Sequence, residues 1–323
     1  MSSILNLDRR YDLYITMSWI PKGGHGLSGH IYEIIEYFLI LKDHIKTRIL
    51  ICEDVSWEQI RAACITKYTL TDDEINNIRN SIVFANKPSL VRGTNLLVVD
   101  GNLSRSFIRY GVKLCFKNIF CFRCTPKDTF TDLPYTNVTL LQDNRLYKDT
   151  PTCKVIDYRK KILFSKFRQI DNNTTNTGMF YLTSNCRRID PMYLREIIVN
   201  HHINKFIVLT NDKKYYQDYV SDLDVSFPSM PVADIFETFD TYIYTIIDEQ
   251  LNPGCGCFDC SPRFVAECVF YNKNITYYDI DDDYLNIDLG LKYRKRDVEN
   301  GIDSVELLHS DNILNIIKDI THE

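Results

Sequence analysis

The sequence has no apolar run approaching the roughly 20 residues a helix needs to cross a bilayer, so no membrane partner is expected for its 323 residues. Its opening stretch, MSSILNLDRRYD, lacks the apolar core of a secretory signal, and a cytosolic chain is the expectation (host cytoplasm for a phage-encoded protein). Excess positive charge is also missing. Lys and Arg number 38 against 43 Asp and Glu, a formal net charge of −5. Indiscriminate nucleic-acid binding needs a large positive footprint, so the charge works against that function without excluding a local basic face. There is no internal repeat and no long low-complexity segment. Paired metal-ligand groups are wanting too. Cys255, Cys257 and Cys260 form CxCxxC with Cys268 further on, but no histidine lies nearby, whereas tetrahedral zinc sites usually show two ligand pairs. The stretch reads as a tight loop, and Asp281-Asp282-Asp283 as a solvated acidic turn. No metal site is expected. Eleven cysteines, an odd number, read as free thiols.

What is present is a regular alternation of short apolar runs and amphipathic segments. Strands are expected at Tyr11–Met17, Thr47–Cys52, Ile82–Ala85, Leu96–Val99, Asn118–Phe122 and Val138–Leu141. Helices are expected at His30–Lys42, Trp57–Lys67, Asp72–Asn80 (capped by Thr71) and Ser104–Tyr110. Short apolar strands separated by helices indicate a parallel sheet covered on both faces. Periodicity breaks between Tyr147 and Asn176 and then resumes from Met179 to Tyr278. The length suits two domains of roughly 150 residues each. The expected fold is α/β: a Rossmann-like acceptor domain over 1–160, read without a dinucleotide fingerprint, and a Rossmann-like nucleotide-sugar domain over 161–300. A C-terminal helix in 301–323 would pack back on the first domain.

Ligands of open α/β sheets bind at the carboxyl ends of strands, so the loops leaving each strand hold the candidates. After the first strand, Gly23, Gly24 and Ser28 lie in a glycine-dense loop before a helix N-terminus, which suits a phosphate or a sugar hydroxyl. His25 in that loop titrates near neutrality and is a candidate base. Asp100, after Leu96–Val99, and Asp128, after Phe122, are the candidate carboxylate bases for an acceptor hydroxyl. In the second half, Ser184, Arg187 and Arg188 stand where a strand turns into a helix, a position suited to bidentate diphosphate contacts. Met230 and Val232 flank a proline-fixed turn that can present backbone groups to a nucleobase edge. Arg263 and Glu267, four residues apart, share one face of a helix that Ser261 and Pro262 would start. They suit a phosphate and a ribose diol. Arg123, Lys166 and Arg168 are the candidate contacts to nucleic acid.

In this order, strand–Ser-x-x-Arg-Arg–helix, then F-P-S-M-P-V, then Pro-Arg-x-x-x-Glu, the second half resembles the donor domain of GT-B glycosyltransferases. Among these the chain is most similar to the bacteriophage DNA β-glucosyltransferases, although its Arg–Glu spacing is one residue longer. The resemblance implies two Rossmann-like domains facing across a cleft. It also implies a UDP-sugar donor, UDP-glucose in that family, no essential metal, and double-stranded DNA bearing hydroxymethylated bases as acceptor. By it, Ser184, Arg187 and Arg188 would hold the diphosphate, Met230 and Val232 read uracil, and Arg263 and Glu267 bind phosphate and ribose. Two other readings stay open: a GT-B transferase acting on a glycan, protein or small molecule, and a related binding protein without catalysis.

Overall fold

The structure is a computed structural model that describes residues 3–17, 30–51, 55–85, 88–100, 111–123, 135–142, 144, 151–158, 162–171, 175–182, 188–229, 232–245, 263–278, 285–286, 291–292 and 310–322. The chain divides into two compact units, Met1–Phe167 with Glu306–Glu323, and Arg168–Val305.

Unit 1 is built on β2 (Leu13–Thr16), β3 (Thr47–Ile51), β4 (Ile82–Phe84), β6 (Asn95–Val98), β8 (Asn118–Phe122), β9 (Val138–Gln142) and β10 (Lys154–Asp157), with helices α1 (His30–Leu41), α2 (Trp57–Lys67) and α3 (Asp72–Ser81). These strands form one parallel sheet in the order β10-β9-β8-β6-β2-β3-β4. Its central strands are buried at every position, which is why they read as continuous apolar runs rather than alternating ones. A three-stranded parallel sheet, β1 (Ile4–Asn6), β5 (Leu90–Arg92) and β7 (Lys113–Cys115), supplies Val91 and Leu114 to the same core as Tyr14, Val98, Cys121 and Leu140. The starts of α2 and α3 follow from local chemistry. Ser56 with Gln59 and Thr71 with Glu74 form capping boxes, each satisfying two otherwise orphaned N–H groups. The C-terminal helix, Ser310–His322, packs against α1.

Unit 2 carries β11 (Thr177–Leu182), β12 (Lys205–Thr210), β13 (Val225–Ser226), β14 (Thr241–Thr245) and β15 (Asn274–Tyr278). Helices α4 (Pro191–Asn200), α5 (Lys213–Gln217), α6 (Val232–Ile235) and α7 (Arg263–Phe270) connect them. The sheet is parallel in the order β13-β12-β11-β14-β15. Gly178 permits a close approach on β11, since a Cβ there would stand 2.7 Å from Phe206 Cε1. The core gathers Phe180, Leu194, Ile197, Val208 and Tyr216.

Several elements fall where no strand is expected from the sequence: β1, β5, β7 and β10. The proposed helix at Ser104–Tyr110 lies outside the described residues, and the final helix is described from Ser310.

Candidate functional site

Both sheets are doubly wound, and each has one switch point. In unit 2 the chain steps from β11 to β12 and β13 on one side, then returns to β14 and β15 on the other. Ligands of such sheets sit outside the carboxyl ends of the strands at that reversal. The segments leaving β11 and β14 lead to α4 and α7. Of the residues selected by sequence, Arg188 lies on the first segment, while Arg263 and Glu267 lie on α7 itself.

Aromatic stacking fixes the position of α7. Phe264, the second residue of the helix, lies parallel to Tyr181 with ring centroids 4.6 Å apart and 6° between planes. Tyr181 is the next-to-last residue of β11, so the first turn of α7 stands at the carboxyl end of β11, beside the switch point. Phe236, Phe239 and Tyr242 close around the same ring. On this turn Arg263 Nε donates to Glu267 Oε1 at 2.6 Å, with the side chains 17% and 2% exposed. A helix N-terminus carries positive partial charge, and the arginine adds to it. Arg188 Nη2 donates to Asp212 Oδ2 at 2.9 Å, and its guanidinium lies over Tyr215 at 5.4 Å. The chain between Arg188 and α4 is held by Tyr216, whose hydroxyl accepts from the Ile189 N–H. Burial pushes that phenol up to about 12. Asp190 then caps α4 with Pro191 at its first turn.

In unit 1 the switch point lies between β2 and β6. Asp100, 2% exposed, follows β6 there. Val99 N donates to Thr16 O at 2.9 Å, and Cys121 Sγ to Asp100 O at 3.4 Å. On the first turn of α1, His30 Nδ1 lies 2.7 Å from Glu33 Oε2.

The three cations selected as nucleic-acid contacts are each engaged within their own unit. Arg123 is 7% exposed and its Nη1 donates to Gln142 Oε1 at 3.2 Å. Lys166 Nζ pairs with Glu74 Oε1 at 2.6 Å. Arg168 Nη2 reaches Asp234 Oδ1 at 3.3 Å and Glu237 Oε1 at 3.2 Å. Gly23, Gly24, His25, Ser28, Asp128, Ser184, Arg187 and Met230 lie outside the described residues, and Val232 opens α6. Among the described residues, no three His, Cys, Asp or Glu side chains form a group able to hold a metal ion, and no helix is long and apolar enough to cross a membrane.

The sequence also carries a glycine pattern ahead of α1. Gly24, Gly26 and Gly29 spell GxGxxG between β2 and α1. In dinucleotide sites the glycines follow the strand directly. Here β2 ends at Thr16 and the pattern begins only at Gly24. Glu33, buried on the first turn of α1, belongs to the same junction and is legible only as a polar residue early in a helix.

No protein-family model matches the sequence, and no curated protein sequence matches it. Among solved structures the chain is similar to a UDP-GlcNAc 2-epimerase from Neisseria meningitidis bound to UDP-GlcNAc, at 10% identity over 96% of this chain and 91% of that one, with a TM-score of 0.32. It is similar to a UDP-glucosyltransferase from Polygonum tinctorium at 8% identity over 100% and 94%, TM-score 0.34. It is also similar to MurG of Acinetobacter baumannii at 10% identity over 96% and 90%, TM-score 0.31. TM-scores this low carry no functional argument. The chain's own strand order establishes two doubly wound, Rossmann-like α/β units.

Proposed function

We propose that this chain is a nucleotide-sugar glycosyltransferase whose donor site is the switch point of unit 2. The observation that carries the reading is the Arg263–Glu267 pair, held at the start of α7 beside the carboxyl end of β11 by the Phe264–Tyr181 stack. An arginine and a helix N-terminus suit a diphosphate, and a carboxylate one turn on suits a ribose diol. Arg187 and Arg188 on the segment leaving β11, with Ser184, complete the diphosphate contacts. Met230 and Val232 are assigned to the base, and Gly23, Gly24 and Ser28 to the sugar.

The reaction is a displacement. Asp100 takes the proton from the acceptor hydroxyl, with Asp128 and His25 as rival bases. The freed oxygen bonds to the anomeric carbon, and the bond from that carbon to the diphosphate breaks. UDP leaves with the electron pair, its charge met by Arg263 and the α7 N-terminus. UDP-glucose and a hydroxymethylated base in double-stranded DNA are the donor and acceptor that the family resemblance supports. A second reading, with a glycan, protein or small molecule as acceptor, is favoured by the internal engagement of Arg123, Lys166 and Arg168.

Calorimetry with UDP tests the donor site: Arg263→Ala and Glu267→Ala should each weaken binding, and unchanged affinity refutes the assignment. UDP release from UDP-glucose, measured with hydroxymethylated DNA, plain DNA and a panel of hydroxylated small molecules, separates the acceptors. Turnover stimulated only by the hydroxymethylated DNA supports the first reading, and equal turnover with plain DNA removes it.

A further inference from the structure

In unit 2, β11 and β12 end level, Leu182 opposite Thr210, and the segments that follow them are tied together. Just past β12, Asp212 is the N-cap residue of α5. An aspartate in that position normally turns its carboxylate onto the first N–H groups of its own helix, as Asp190 does on α4 by accepting from Met192 N and Tyr193 N. Asp212 makes no such cap. Its own N–H donates to Thr210 Oγ1 at 3.1 Å, and its Oδ2 accepts from Arg188 Nη2 at 2.9 Å, 24 residues back in the chain. Residues of α5 grip the same segment. The Arg188 guanidinium lies over the Tyr215 ring at 5.4 Å, and that ring packs edge-on to Tyr216 with centroids 4.9 Å apart. The hydroxyl of Tyr216, a fully buried residue, accepts from Ile189 N.

The start of α5 thus forgoes a cap to hold one guanidinium. A local rule broken without a local gain marks a place where function makes the demand. An exposed ion pair adds little stability, and these two side chains are 39% and 40% exposed, so stability does not explain the choice. Order does. A long side chain that must be immobilised when a ligand arrives lowers the affinity, and one already held does not. We infer that Asp212 is a positioning residue of the donor site: with the Tyr215 ring against the guanidinium, its carboxylate fixes Arg188 in the orientation that receives a nucleoside diphosphate. The inference rests on the reading of unit 2 as the donor unit.

Calorimetry with UDP on the full chain tests it, because charge and position predict opposite signs. Removing a carboxylate makes the surroundings of Arg188 more positive, so on charge alone Asp212→Ala and Asp212→Asn would both bind UDP more tightly. If Asp212 positions Arg188, Asp212→Ala should bind UDP about tenfold more weakly, the loss expected for one hydrogen bond to a charged group. Asp212→Asn carries the same charge change but keeps an acceptor, and should stay close to the unaltered chain. Uridine, which has no diphosphate, should bind both variants as it binds the unaltered chain, whereas a general disturbance of unit 2 would weaken it too. In an Arg188→Gln background, Asp212→Ala should have no further effect on UDP affinity. Equal affinities for the alanine and asparagine variants, tighter binding by both, or a parallel loss for uridine each overturn the positioning role. If Arg188→Gln leaves UDP affinity unchanged while Arg263→Ala lowers it, the inference falls and the donor site stands. If the unaltered chain binds no UDP, the donor reading falls and the inference with it.

Discussion

Arg263 donates its Nε–H to Glu267 at 2.6 Å, and the carboxylate that accepts it is 2% exposed. Removing one partner of a buried ion pair strands the other in apolar surroundings. Glu267→Ala should therefore destabilise the protein by about 3 kcal/mol. Arg263→Leu combined with Glu267→Leu should cost much less, because no charge is left behind. Chemical denaturation of the three variants checks both statements.

Phe264 is the contact through which α7 meets β11. Its ring touches Tyr181, Phe236, Phe239 and Tyr242. Phe264→Ala leaves a cavity that four aromatic neighbours cannot easily fill, and should cost about 3–5 kcal/mol. Phe264→Leu should cost less. If α7 presents the donor site, UDP affinity falls in the alanine variant even at temperatures where the chain remains folded, which calorimetry can read.

Acid stability should depend on the Lys166–Glu74 bridge. Burial alone would raise the Glu74 carboxyl, but the Lys166 ammonium and the Thr71 N–H and hydroxyl together hold it below the usual carboxylate range. Because the folded value is the lower one, the stabilisation is full above the unfolded value and is lost as pH falls through the folded value. Lys166→Met should lower the melting temperature at neutral pH and flatten its decline on acidification. Thermal scans down to pH about 3 decide this, and parallel curves for the two proteins would refute it.

Thiol reactivity should follow burial. Cys115 is exposed, Cys153 half-buried, and Cys64, Cys121 and Cys268 buried. Burial pushes the Cys64 thiol up to about 12 and raises Cys268 well above its ordinary value. Since the thiolate is the reactive form, iodoacetamide should label Cys115 before the other described cysteines in the native chain. It should reach Cys64 and Cys268 only after denaturation. Peptide mapping of native and unfolded samples gives the comparison.

The elements legible in the sequence are those whose ends are set by neighbours along the chain. Trp57–Lys67 is read to the residue, and Thr71 is read as a cap, because capping involves groups within four positions. The strands β1, β5 and β7 are invisible to such reading. Each has three residues, and what makes Ile4–Asn6 a strand is Leu90–Arg92, far along the chain. β10 escapes for the same reason, since Lys154–Asp157 alternates weakly and takes its register from β9. The site divides likewise. Arg263 and Glu267 are one turn apart and their pairing is legible. The partners of Lys166 and Arg168 are Glu74, Asp234 and Glu237, all too distant for a charge cluster in the sequence to reveal whether it faces water or an acid. For Arg123 the sequence suggests an exposed contact, and only the alignment of strand ends places it inside.

The path of the chain sets an order of events. Unit 1 holds Met1–Phe167 and Glu306–Glu323, with the whole of unit 2 between them, and the helix that lies on α1 comes from the later segment. Domains fold as units while the chain is being made. On the ribosome, unit 2 is therefore finished before the covering for α1 emerges, and the earlier-made unit is the later to be completed. Until then the α1 surface that Ile313 and Ile317 help to bury stays open to chaperones and to other nascent chains.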